Sequence, residues 1–60
     1  MKLYDVVQIK ETNSLLDGQI GRIIGKSFED VGVEMYIILL DREYRGQRGV
    51  VLPNAVLERL

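Results

Sequence analysis

Apolar side chains recur along this chain at every second position, the period of a β-strand with one face buried. Leu3–Glu11 sets Leu3, Asp5, Val7 and Ile9 against Tyr4, Val6, Gln8 and Lys10, which predicts a strand with Leu3, Val7 and Ile9 inward. Thr12–Gly18, TNSLLDG, is built of turn formers around two leucines and predicts a loop that folds Leu15 and Leu16 back as a lid on the core. Gln19–Lys26, QIGRIIGK, predicts a second strand. Glycine inside a strand marks a bulge, a bend or a close backbone approach, and a bulge at Gly21 would let Ile20 and Ile23 face the same side. Phe28–Gly32 reads as a turn, Val33–Asp41 as the long central strand, Arg42–Gly49 as a hairpin connection and Gly49–Leu52 as a short strand. Pro53 stops that strand, Pro53–Val56 predicts a single 3-10 turn, and Leu57–Leu60 a last short strand.

The central strand breaks the alternation. In EMYIILLD, residues 34–41, both faces are apolar: Met35, Ile37 and Leu39 on one, Tyr36, Ile38 and Leu40 on the other. With the first set assigned to the core, Tyr36, Ile38 and Leu40 point outward, in company with Val6 and Val51, which share that parity on their strands. Burying one Leu or Ile is worth about 1.5–3 kcal/mol, and three exposed in a row invite association. Two covers remain open: the chain's own loop through Leu15 and Leu16, or another polypeptide. Cover by another polypeptide is expected.

Length narrows what can lie underneath. Sixty residues make one domain, spanning 1–60, near the lower limit for independent folding. The chain has no Cys and no His, so packing alone must stabilise it, and a hydrophobic content of 47% is enough for that. Small cores of this kind gain stability by oligomerising. The longest apolar run, Tyr36–Leu40, is far too short to span a membrane, and the charges of MKLYDVVQIKE do not make a signal peptide. A cytoplasmic protein is expected, with no membrane partner. Residues 1–30 carry four basic and five acidic groups and residues 31–60 four of each, so neither half is a general electrostatic trap for nucleic acid.

Five short strands with one 3-10 turn before the last predict an all-β fold, a small five-stranded SH3-like barrel. The segments VQIKE and DGQIGRIIG, followed by a long third strand, resemble the KOW-type SH3-like barrels of transcription and ribosomal proteins. The whole chain is also similar to a family of tiny bacterial and phage barrel proteins of unassigned activity. The matching pattern is Leu3–Val7 at the start, the GxxGxI block at Gly18, Gly21 and Ile23, a third strand ending in Asp41, then Gly49, Leu52-Pro53, Leu57 and Leu60. That family usually alternates apolar with charged residues on its third strand, and this chain departs from it there. Leu3-Tyr4-Asp5 and Pro53-Asn54 are shared with SH3 peptide-binding domains. Those domains read polyproline helices from an aromatic groove, and four aromatics without a Trp do not build one.

Catalysis is not expected. A nucleophile would have to be Thr12, Ser14 or Ser27 without a His base, and the serines sit in or beside turns, where they bond local backbone. Lys26-Ser27 follows glycines as in a phosphate loop, but no helix comes after it. The acidic pairs Glu29-Asp30 and Asp41/Glu43 read as solvated or structural, and two carboxylates are too few for a metal site. No metal and no cofactor is expected. The local concentration of charge is Arg42, Arg45 and Arg48 around Tyr44, with Arg22 and Lys26 on the neighbouring strand. Guanidinium groups grip phosphate and a tyrosine can stack a base. The competing reading is a solvated hairpin whose arginines pair with Asp41, Glu43 or Glu34. The expectation is therefore a non-enzymatic protein-interaction module, self-associating or acting as adaptor or inhibitor of a larger protein, with a KOW-like nucleic-acid or nucleotide binder as the alternative.

Overall fold

The computed structural model describes residues 1–27 and 32–60. Five antiparallel strands form one curled sheet: β1 (Val6–Ile9), β2 (Ile20–Lys26), β3 (Met35–Tyr44), β4 (Gln47–Pro53) and β5 (Leu57–Arg59). The 3-10 turn Asn54–Val56 precedes β5, as expected. The strand order β4-β3-β2-β1-β5 is a meander whose last strand returns to the first, the SH3-like arrangement anticipated from the pattern. The N–H of Lys10 donates to the Val56 carbonyl at 2.7 Å and ties the 3-10 turn to the end of β1. Among the described residues no helix is long and apolar enough to cross a membrane. The expected turn at Phe28–Gly32, including Glu29-Asp30, lies outside the described residues except for Gly32.

The core consists of Val7 and Ile9 of β1, Ile23 of β2, Tyr36, Ile38 and Leu40 of β3, and Leu57 of β5. Leu16, Tyr44, Val50, Leu52 and Val56 pack against it. This reverses the expected facing of the central strand. Tyr36, Ile38 and Leu40 are 6%, 0% and 0% exposed, and Met35, Ile37 and Leu39 form the outer face. Pairing gives the physical reason. Arg22 must face water, so its neighbours Gly21 and Ile23 face inward. They lie across from Leu40 and Ile38, while Arg22 lies across from Leu39. A one-residue change of register would send a guanidinium into the core.

Four further expectations need correction. The bulge in β2 falls between Ile23 and Gly25, not at Gly21, so Ile20 stays exposed while Ile23 is buried. Gly21 instead marks a close approach: a Cβ there would lie 2.5 Å from Ile38 Cγ2 and 2.8 Å from the Leu39 carbonyl oxygen. Leu3 is exposed, because β1 begins only at Val6 and Tyr4 before it takes a positive φ of 70°. Of the two lid leucines, Leu16 packs on the core and Leu15 is solvent-exposed. The connection between β3 and β4 is tighter than the eight-residue hairpin drawn from the sequence. Tyr44 pairs with Gln47 across a turn of two residues, Arg45 and Gly46, both at positive φ (50° and 77°). Such a turn matches the twist of its flanking strands.

Candidate functional site

The outer face of the sheet is assembled row by row from the strand register. In one row Gly49 of β4, Leu39 of β3, Arg22 of β2 and Val6 of β1 lie side by side. Leu60 extends it, its N–H donating to the Val6 carbonyl at 3.0 Å. In the next row Val51 of β4 pairs with Ile37 of β3, which meets Gly25 of β2 beside the exposed Ile24. Met35 and Pro53 close the far end. Leu39 is 40% exposed, Val51 48% and Val6 36%. The face is apolar because β3 was given two apolar sides and only one can enter so small a core. Gly49 directly across from Leu39 leaves a notch, since a Cβ there would meet nothing within 4 Å. Of the interface residues read from the sequence, Val6 and Val51 therefore lie on the outer face, and Tyr36, Ile38 and Leu40 do not. Their places are taken by Met35, Ile37 and Leu39.

A signal for that facing exists in the sequence. Asp41 and Glu43 share the parity of Met35, Ile37 and Leu39, and Tyr44 shares that of Tyr36, Ile38 and Leu40. The charged continuation marks the outer side. Its weight is reduced by the structure itself, because the β3–β4 register shifts between Leu39 and Tyr44, so strict alternation does not run through the strand.

The basic residues do not converge on one site. Arg22 and Arg48 line a shallow depression of about 250 Å³ together with Val6, Ile20, Gly21, Leu39, Leu40 and Asp41. Arg48 reaches it through the irregular stretch opposite its strand, where its Nε donates to the Leu40 carbonyl at 3.2 Å. Arg42 lines a different hollow, with Asp17, Gly18, Gln19, Ile20 and Asp41. Arg45 lies over the ring of its neighbour Tyr44, 5.5 Å from the centroid, at the tip of the hairpin. Lys26 sits at the opposite end of β2 from Arg22, and its Nζ is 3.7 Å from Glu34 Oε1. Among the described residues, Arg22, Arg42, Arg45 and Arg48 have no carboxylate within 4.0 Å, so the pairing with Asp41, Glu43 or Glu34 that the solvated-hairpin reading called for does not form there.

Glu34 has a second partner. Tyr36 is buried as a ring, but its hydroxyl reaches the rim and donates to Glu34 Oε2 at 2.8 Å. That hydrogen bond, and then the charge of Lys26, hold the Glu34 carboxyl below its ordinary pKa. The same bond, with burial added, raises the Tyr36 phenol. The cluster Lys26–Glu34–Tyr36 lies where β2 ends and β3 begins, with Lys26 paired across from Tyr36. Among the described residues, no group of three or more His, Cys, Asp or Glu side chains is placed to hold a metal ion. Compared with protein-family models, with curated proteins and with solved structures, the chain has no match.

Proposed function

We propose that this chain is a non-enzymatic protein-interaction module that self-associates through the outer face of β3 and its flanks. The observation that supports the reading is a patch of apolar side chains on the outer face, the half-buried Ile37 with the exposed Ile24, Leu39 and Val51 on β2, β3 and β4, and Val6 of β1 beyond Arg22. Isolated surface leucines need no explanation, whereas a contiguous apolar patch on a domain this small does. Apolar residues at the centre of a patch with arginines beside them also match the composition of protein interfaces. Sedimentation equilibrium over a wide concentration range tests it. The expected result is a mass that rises to a defined multiple of the chain's mass. A monomer at the highest concentration reached would overturn the reading.

A second reading rests on the arginines. Arg22 and Arg48 flank one depression and carry no carboxylate partner among the described residues, which suits a phosphate group. A KOW-like nucleic-acid or nucleotide binder would lose affinity steeply with salt. Flat titrations with RNA, DNA and free nucleotides at low salt would end this reading. Its weakness is that Arg42, Arg45 and Lys26 point to other parts of the surface.

A further inference from the structure

The depression beside Leu39 holds charges of both signs that do not meet. Arg22, Arg48 and Asp41 line it with Val6, Ile20 and Leu39 between them. No two of the three form an ion pair within 4.0 Å, and among the described residues none of them has another charged partner. Arg48 is held in place, because its Nε is already spent on the Leu40 carbonyl at 3.2 Å while its two terminal nitrogens remain to bind. Arg22 and Leu39 are set side by side as cross-strand neighbours. A two-fold interface sets one patch against itself, so a patch with unpaired cations and a carboxylate around an apolar centre can offer each its opposite on the copy.

We infer that the occupant of this face is a second copy of the chain, docked isologously so that Arg22 and Arg48 of each protomer receive Asp41 of the other across a centre formed by the two Leu39 side chains. This rests on the self-association reading and adds to it the two-fold arrangement and the residues that set the orientation. Arginine suits the role because its planar fork takes a carboxylate through two parallel hydrogen bonds. Oppositely charged contacts of this kind select register and partner as much as they add affinity. A copy carries both signs on this same patch and so can supply a counter-charge to each of the three groups.

The test exchanges the charges. Arg22→Glu with Arg48→Glu gives a chain carrying carboxylates at all three positions, and Asp41→Lys gives one carrying cations at all three. Each variant alone is expected to self-associate at least about tenfold more weakly than the parent chain, a change of roughly 1.4 kcal/mol. Mixed in equal amounts, the two are expected to recover the parent mass in sedimentation equilibrium as a heterodimer. Circular dichroism confirms that each variant is folded. Should loss of the Arg48–Leu40 bond unfold the double variant, Arg22→Glu alone replaces it, with the same expectation of rescue by Asp41→Lys. Two variants that associate as the parent does, or a mixture that stays monomeric, would overturn the charge exchange while leaving self-association intact. A parent chain that is itself monomeric would overturn the self-association reading instead, and the charge exchange with it.

Discussion

At the scale of single residues, Tyr36 shows how one side chain serves two environments. Its ring fills the core and its hydroxyl donates to the Glu34 carboxylate at 2.8 Å, with the Lys26 ammonium on the other oxygen. The consequences for pH have opposite signs at the two ends of the scale. Glu34 has a folded pKa below its unfolded one, so its contribution is complete above the unfolded value and is lost as pH falls through the folded value. Tyr36 has a folded pKa above its unfolded one, so its contribution is complete below the unfolded value and is lost as pH rises through the folded one. Tyr36→Phe keeps the ring and removes the bond. Urea midpoints measured against pH should show shallower losses at both the acid and alkaline ends in that variant than in the parent. Identical profiles would show that the bond does not couple to folding. None of this was readable from sequence, where residues 34 and 36 look like ordinary neighbours on one face of a strand.

At the scale of elements, the strands, their order of appearance and the 3-10 turn were legible because alternation, glycine, proline and β-branching report them directly. Facing was marked only by the parity of Asp41 and Glu43, because an even distribution of apolar residues on β3 leaves the inner side to be chosen by its partners. Arg22 makes that choice through its pairing with Leu39. Gly21 enforces it, since the Leu39 backbone and Ile38 occupy the space a side chain would need. Gly21→Ala should therefore cost about 1–3 kcal/mol by overpacking, measured by chemical denaturation. The β3–β4 turn offers the opposite change. Arg45 holds a φ of 50° that a side chain other than Asn, Asp or Gly adopts at a cost. Arg45→Asn is expected to raise stability by up to about 1 kcal/mol. Because the hairpin tip lies apart from the Leu39 face, the same variant should leave self-association unchanged, whereas a nucleic-acid site built on the hairpin would be weakened by it.

At the scale of the whole molecule, a small core has used one side of its longest strand and left the other apolar. The presence of surplus apolar surface was legible in the composition of residues 35–40, and Val6 and Val51 are exposed beside it. Which half of β3 supplies it is marked in the sequence only by the parity of Asp41 and Glu43, weakened by the register shift after Leu39, and is decided by the pairing of Arg22 with Leu39. A chain of 60 residues has only about 3–9 kcal/mol of stability at typical values per residue, so an unpaired charge forced into its core is enough to unfold it. Neighbouring positions 38 and 39 should then respond in opposite ways to the same substitution. The direct measurement is mass and circular dichroism on Ile38→Asp and Leu39→Asp side by side. Leu39→Asp is expected to be a folded monomer under conditions where the parent chain associates, and Ile38→Asp to be unfolded. A folded, monomeric Ile38→Asp beside an unfolded Leu39→Asp would contradict the account.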